Sequence, residues 1–368
     1  MKKKKILFIV EAMGGGVFTY IVDLANELIN SFDIYIAYAM RPQTPEDYKE
    51  KFDKRIHLIE VHNFTRSIDL SKDLRAFFEI KRIEKEIQPD IIHLHSSKAG
   101  ALGRWAFNGN KIPLFYTPHG YSFLMANYGI VKRTIFRIVE ELSAKKNCTV
   151  ISCSPGEHQV TLELTKNATF VDNGINIHEL DALTKPLETD DTHPFTVFTL
   201  GRICYQKNPQ MFNKVANELP NIKFLWIGDG ELRDELKAPN IKVTGWVERD
   251  TALQYLVDTD VFMLTSLWEG LPISLLEAMY MRKLCVVSDV IGNRDVIHTS
   301  VNGFVCDKVQ DFITAILAAK EEKQTKLIDK AYKDVLEHYN TDSMADKYSK
   351  IYRSVLKQMV RGTENIVS

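Results

Sequence analysis

The stretch Ser266-Leu267-Trp268-Glu269-Gly270-Leu271-Pro272-Ile273-Ser274-Leu275-Leu276-Glu277-Ala278-Met279 decides how this chain is read. It follows Asp260-Val261-Phe262-Met263-Leu264, a short apolar run that reads as a buried strand. The turn Glu269-Gly270-Leu271-Pro272 leads into a helix, with Pro272 expected at the first helical position, where a missing N–H costs nothing. Backbone N–H groups at such a turn, together with the positive end of a helix, favour an anion. Glu269 and Glu277 do not fit that picture alone. Carboxylates repel phosphate but accept hydrogen bonds from hydroxyls, so the stretch suits a ligand that presents phosphate between hydroxyl groups.

Outward from this stretch the chain alternates short apolar runs with helical periods. Strands are expected at Ile6–Val10, Asp33–Ala39, Ile56–Val61, Pro89–His95, Ile112–Tyr116 and Thr149–Cys153. Helices are expected after the Gly14-Gly15-Gly16 turn, over Leu74–Ile87, from Ala99 and over Ile130–Ala144. The rhythm pauses at Asn173–Pro194, which is polar and rich in turn residues, and restarts with strands at 195–200, 223–227, 241–244, 260–264 and 284–288. An amphipathic helix is expected over 342–360. This pattern predicts the α/β class, with two doubly wound, Rossmann-like parallel-sheet domains facing a cleft. The expected organisation is an N-terminal domain over 1–175, a linker over 176–189 and a C-terminal domain over 190–341, with the last helix packing back on the first domain. Ligands of such sheets sit beyond the carboxyl ends of the strands, where every stretch singled out here lies.

The 368 residues suit about two domains. A content of 45% hydrophobic and 26% charged residues is that of a globular protein with a sizeable core. The net charge of −1 gives no general attraction to nucleic acid, and none is expected as a partner. Residues 1–185 carry 25 basic and 22 acidic side chains against 22 and 26 in the remainder, a mild basic bias compatible with an anionic membrane surface or a phosphorylated acceptor, or with chance. The five scattered cysteines, with no Cys-x-x-Cys pair, read as buried thiols in a reducing compartment. The apolar run Ile6–Val10 after the N-terminal lysines is too short for a signal-peptide core, and no window reaches the length of a transmembrane helix. A cytoplasmic protein, with membrane association as an open alternative, is the default.

Several further residues are candidates for chemistry. The Gly14-Gly15-Gly16 turn lacks a third glycine at Thr19 and an acid at the end of the second strand, which argues against a nicotinamide site. It leaves a backbone approach to phosphate or sugar, or a plain tight turn. His119, past a strand end in Thr117-Pro118-His119-Gly120, is placed to bond a sugar hydroxyl or to serve a structural role. His93 and His95 are expected on opposite faces of their strand and not as a metal pair. Arg202 and Lys207, at the mouth of a strand–loop–helix turn, are placed to clamp a diphosphate without a metal, or are solvated surface charges. Asp258-Thr259-Asp260 resembles a cation-holding Asp-x-Asp but falls at the wrong end of its strand, so no metal is expected. The 121–137 segment mixes apolar and basic residues and suits either a lipid surface or ordinary packing.

Together these residues resemble the family 4 retaining glycosyltransferases of the GT-B fold. Glu269-Gly270-Leu271-Pro272 with Glu277-Ala278-Met279 looks like that family's Glu-x7-Glu signature. Gly201-Arg202 with Lys207-Asn208, Ile227-Gly228-Asp229-Gly230, Gly245-Trp246-Val247, Asn302-Gly303-Phe304, Asn173-Gly174-Ile175 and the N-terminal glycine turn accompany it in the family's order. The resemblance implies a metal-independent, retaining transferase that moves a sugar from a nucleoside-diphosphate donor (UDP or GDP) to a hydroxyl, with a lipid-linked or cell-surface glycan as acceptor. It implies that Glu277 binds the ribose, Glu269 the donor sugar, and the backbone of Gly270, Leu271, Pro272 and Ile273 the sugar and phosphate. It further implies that Arg202 and Lys207 grip the diphosphate, that Trp246 and Val247 meet the base, that Gly15, Gly16 and Asn173 complete the donor site, and that His119 contacts the sugar near its reacting carbon. Ser288–Asp295 departs from the family pattern, with the single Gly292 where a Gly-Gly pair is common and Asp295 where a glutamate is common. A nucleotide-sugar epimerase of the same two-domain fold, and a non-catalytic partner subunit, are the alternative readings.

Overall fold

The computed structural model describes residues 3–11, 13–42, 44–65, 68–184 and 193–367. The chain forms two compact units. The first comprises Met1–Leu124, Ile130–Asn173 and Thr341–Ser368, and the second Met125–Gly129 and Gly174–Asn340.

In chain order the first unit contains β1 (Lys4–Val10), α1 (Gly15–Leu28), β2 (Phe32–Tyr38), β3 (His57–Glu60), α2 (Leu70–Ile87), β4 (Ile91–His95), α3 (Ser97–Ala106), β5 (Leu114–Thr117), α4 (Ile130–Ala144), β6 (Thr149–Ser152), α5 (Pro155–Leu164) and β7 (Ala168–Phe170). The second contains α6 (Ile177–Thr184), β8 (Thr196–Leu200), α7 (Pro209–Glu218), β9 (Lys223–Ile227), β10 (Ile241–Val243), α8 (Arg249–Val257), β11 (Val261–Leu264), α9 (Ile273–Tyr280), β12 (Leu284–Ser288), β13 (Phe304–Cys306), α10 (Val309–Glu321) and α11 (Thr325–His338). The last helix, α12 (Thr341–Val367), returns to the first unit.

Each unit holds one sheet in which every strand pairing is parallel, ordered β3-β2-β1-β4-β5-β6-β7 and β10-β9-β8-β11-β12-β13. Strands such as β4 and β11 are buried along their whole length, as expected for sheets covered on both faces. The strand order reverses between β1 and β4 in the first sheet and between β8 and β11 in the second. At these switch points neighbouring loops leave in opposite directions and open a crevice beyond the strand ends.

Four sequence expectations need correction. The edge strands β7 and β13 have three residues each and were not anticipated. Helix α2 begins at Leu70 rather than Leu74, because Asp69 caps it by accepting a hydrogen bond from the Lys72 N–H at 3.0 Å. The expected linker carries α6, which buries Leu180 and ties Asp181 to the Tyr280 hydroxyl at 2.5 Å, while residues 185–189 of that linker lie outside the described residues. His93 and His95 share a face of β4, with ring centroids 4.1 Å apart. The strand period is two, so residues i and i+2 point the same way.

That shared face anchors α12. His93 is wholly buried, its Nδ1 2.6 Å from the Tyr352 hydroxyl and its Nε2 2.9 Å from Thr117 Oγ1. On the next turn of α12 the Tyr348 hydroxyl accepts a hydrogen bond of 2.6 Å from Tyr20 on α1. The helix that ends the chain is therefore held by buried hydroxyl–imidazole contacts as well as by apolar burial, and Tyr348 and Tyr352 lie in the first unit's core. Tyr352→Phe, which keeps the ring and removes the hydroxyl, is expected to cost about 1 kcal/mol. Tyr352→Ala is expected to cost about 3–5 kcal/mol. Denaturant midpoints of the two variants would check this, and a Tyr352→Phe variant as stable as the parent would deny the hydroxyl its role.

Candidate active site

The candidate residues fall into two groups, one in each unit. In the second unit the group stands at the β8/β11 switch point. The loop after β8 is shaped by close backbone approach. Gly201 (φ +140°) and Gly228 (φ +134°) hold positive φ, and a Cβ on Gly228 would lie 2.3 Å from the Gly201 carbonyl oxygen. Trp226 Nε1 donates to that same carbonyl at 2.8 Å. The fixed loop carries Lys207, whose ammonium pairs with Glu269 Oε1 at 2.7 Å, with both side chains largely buried. Ser266 Oγ donates to the same oxygen at 2.7 Å, and Gln206 Nε2 donates to the Trp268 carbonyl at 2.9 Å and reaches Glu269 Oε2 at 3.3 Å. Glu269 is thus held in one orientation by partners from both loops, which suits a carboxylate that must present itself to a ligand hydroxyl.

Glu277 projects from the first turns of α9 and is 3% exposed. Burial raises its pKa, opposed by Arg249, whose Nη1 lies 2.7 Å from Glu277 Oε1. Arg249 Nε lies 3.8 Å from Glu179 on α6, so the segment expected to be a linker contributes a charge to this neighbourhood. Arg249 and Glu179 were missed in the sequence, because neither stands in a motif and only the tertiary fold brings them to Glu277.

Pro272 takes the cap position one residue before α9, not the first helical position, with its carbonyl accepting from the Leu275 N–H at 3.1 Å. No side chain caps this helix end. Leu271 and Ile273 point into the core, 4% and 7% exposed, so the turn from Gly270 to Ile273 can offer a ligand only its backbone. Gly292 closes the far side of the turn, since a Cβ there would lie 2.4 Å from the Gly270 carbonyl oxygen. The departure at Ser288–Asp295 therefore keeps the one glycine that this contact requires. Arg202 is committed to Glu231, at 2.9 and 3.0 Å, rather than standing free. Trp246 follows the left-handed Gly245 (φ +81°) and is 62% exposed, a free indole face, with Val247 half-buried beside it.

In the first unit, the loop after β1 runs into α1 through Gly14, with Gly15 at φ +57°. Gly15 and Gly16 are exposed, and nothing lies within 4 Å of a Cβ built on Gly15. The conformation there demands glycine, not crowding, and the space beside the backbone is open. Asn173 is buried where this unit ends. His119 also holds a left-handed backbone (φ +55°). Its Nε2 lies 3.1 Å from His95 Nδ1, and its ring meets Tyr20 edge-on at 4.7 Å. Beneath it, Glu157 accepts from the Gly120 N–H at 2.7 Å and the Cys153 N–H at 2.8 Å, which fixes the turn. Burial lowers the His119 pKa to about 3. The imidazole is therefore neutral at physiological pH and serves as a hydrogen-bond partner, not a cation.

Two expectations follow. Arg249→Ala leaves a buried carboxylate unpaired and is expected to cost about 3 kcal/mol near neutral pH. Without Arg249 the folded-state pKa of Glu277 moves further above its unfolded value, so the folded state takes up a proton first and the loss shrinks as pH falls. Urea titrations of variant and parent at several pH values would show the gap closing on acidification, and a gap that widens would contradict the pairing. The His119 ring signals are expected to show no titration between pH 5 and 8 by NMR, since its pKa lies at about 3.

The sequence agrees with what these loops suggest. The family model described as "Glycosyltransferase Family 4" matches residues 14–179, and that described as "Glycosyl transferases group 1" matches residues 194–321. The chain is 26% identical over 329 residues to an Escherichia coli UDP-Gal:alpha-D-GlcNAc-diphosphoundecaprenol alpha-1,3-galactosyltransferase, covering 82% of this chain and 84% of the relative. It is 27% identical over 321 residues to a Campylobacter jejuni alpha-1,4-N-acetyl-D-galactosaminyltransferase named for a diphosphate-undecaprenol-linked acceptor, covering 82% and 85%. Sucrose-phosphate synthase from Thermosynechococcus elongatus shares the fold with a TM-score of 0.81 at 15% identity, covering 97% of this chain and all of that one. Anabaena HepE, solved with UDP and glucose, does so with a TM-score of 0.76 at 17% identity, covering 95% and 100%. With both sheets doubly wound, both family models matched in order and the paired glutamates set at the second switch point, this chain belongs to the family 4 (group 1) glycosyltransferases of the GT-B fold.

Proposed function

We propose that this glycosyltransferase takes its sugar from a nucleoside-diphosphate donor, UDP first among the candidates and GDP second, and passes it with retention of anomeric configuration to a hydroxyl of a lipid-linked glycan. The observation that carries the reading is the Lys207–Glu269 pair at the β8/β11 switch point. It sets a cation and a hydroxyl-accepting carboxylate 2.7 Å apart beside the uncapped end of α9. On this reading the diphosphate lies over the turn from Gly270 to Ile273, Lys207 neutralises its charge as the glycosidic bond breaks, joined by Arg202 when the phosphate displaces Glu231 from their exposed pair, and Glu269 orients the sugar. Glu277 receives the ribose hydroxyls, and Trp246 offers its exposed face to the base.

Cations supplied by the protein do the work that a metal ion does elsewhere, so the reaction proceeds without one. No side chain acts as nucleophile. The leaving phosphate oxygen takes the acceptor proton. UDP as donor is supported by the name of the Escherichia coli relative and by the nucleotide bound to HepE, and a diphosphate-linked polyprenol as acceptor by the names of the Escherichia coli and Campylobacter relatives.

Purified protein incubated with UDP-hexoses and a short-chain polyprenyl diphosphate glycan is expected to release UDP only when acceptor is present, with full activity in EDTA and an α product from an α donor by NMR. Turnover of donor without acceptor would favour an epimerase. Lys207→Ala is expected to lower kcat about 100-fold or more, the scale of losing one charge-stabilising group. An unchanged rate in that variant would remove Lys207 from the chemistry.

A further inference from the structure

Helix α4 is amphipathic in the wrong sense for a packed helix. The residues it buries are Glu140 and Ser143. Glu140 is bound by Arg104 at 2.6 Å and by the Tyr116 hydroxyl at 2.9 Å, and Ser143 Oγ accepts from Trp105 Nε1 at 3.0 Å. The face turned to the protein is therefore held by these polar contacts together with Phe136, which packs partly buried on the first unit's core. The opposite face carries Val131, Ile135, Ile138, Val139 and Leu142, at the i, i+4, i+7, i+8, i+11 spacing of a single stripe. All five are exposed, between 39% and 75%. A helix docked on a soluble core turns such a stripe inward.

The rim of the stripe is basic. Lys132, Lys145 and Lys146 are exposed around it, and Lys146 sits 4.0 Å above the ring of Trp105, itself 54% exposed. The acids nearby offset this charge only in part, because Glu140 is buried with Arg104 while Glu141 and, on α5, Glu163 share Arg137 at 3.0 Å each, leaving Lys132, Lys145 and Lys146 in excess. Helix α2 lies beside α3, and α3 beside α4. It adds exposed Leu74 and Phe78 with Lys85 to the same side of the sheet.

We infer that α4 is the seat of this protein on an anionic lipid bilayer, lying in the plane of the interface with its apolar stripe among the acyl chains and its lysines at the headgroups. Among the described residues no helix is long and apolar enough to cross a membrane, so the contact is peripheral. The charge selects this occupant over a second copy of the chain. A two-fold pairing through the stripe would set the same lysines against one another, whereas a bilayer of anionic lipid neutralises them. The stripe also runs beyond the 121–137 segment that the sequence singled out, to Leu142. The inference draws on the proposed lipid-linked acceptor only for its purpose, and its test does not require turnover.

The full chain is mixed with vesicles of phosphatidylcholine alone or with an equal part of phosphatidylglycerol, and the bound fraction is read by flotation. Binding to the anionic vesicles is expected to exceed that to neutral ones about 10-fold or more at low salt. It is expected to fall by a similar factor in Ile135→Glu/Leu142→Glu and in Lys145→Glu/Lys146→Glu, whose exposed positions leave the melting temperature unchanged. Equal binding to both vesicle types, or full binding by either variant, would overturn the proposal. So would a concentration-dependent dimer that Ile135→Glu/Leu142→Glu abolishes, which would give the stripe to a second copy. Vesicle binding without sugar transfer would leave this inference standing and count against the proposed reaction instead.

Discussion

The ion pair between Lys207 and Glu269 is the contact on which the second unit's candidate site depends. The two residues belong to loops that leave neighbouring strands, β8 and β11, where the strand order reverses. A parallel sheet brings those loops side by side but does not fix their side chains. The pair does so, with Ser266 and Gln206 holding the remaining carboxylate geometry. A buried carboxylate is costly unless paired, and the same constraint recurs at Glu277 with Arg249 and at Glu140 with Arg104. In each case the cation comes from another element, so the charge also registers one element against another.

The first unit solves a related problem with neutral groups. His93, His95, His119, Tyr20, Tyr348 and Tyr352 form a cluster in which most of the imidazole nitrogens and hydroxyls partner one another, with His95 Nε2 buried and without a hydrogen-bond partner. Burial keeps the imidazoles of the cluster uncharged, which lets a polar network sit in a hydrophobic core without unpaired charge. The cluster also joins the last helix of the chain to the strand that precedes His119. Stability of the first unit and placement of His119 are therefore linked through the same side chains.

Much of the architecture was legible in the sequence. Apolar runs of four to seven residues between helical periods mark parallel strands whatever the tertiary detail, and Gly201, Gly228 and Gly292 mark places where backbone approaches backbone. The three-residue edge strands β7 and β13 were not legible, because runs that short stand out only where the alternation of strands and helices leads up to them, as it does for β10. Helix α6 was hidden by the polar, turn-rich residues that follow it. The opposite-face reading of His93 and His95 failed for a simpler reason, a strand period applied in the wrong sense.

Sequence alone determined the fold class, the order of the loops and the residue types at each strand end, because hydrophobic periodicity and glycine positions are local properties. It also placed Glu269, Arg202 and Lys207 in loops at the carboxyl edge of a sheet, and Glu277 on the helix that follows one of them. Only the tertiary structure decided how those charges are partnered. Lys207 went to Glu269, Arg202 to Glu231, and Glu277 to an arginine that no motif contains. It likewise decided which face of α4 is turned outward. A helical wheel gives the stripe, but which side is buried depends on Arg104 and Tyr116, from other elements, holding Glu140. Pairing energies act through space, between residues 28 to 62 positions apart in these cases, and that information is absent from any local window of the chain.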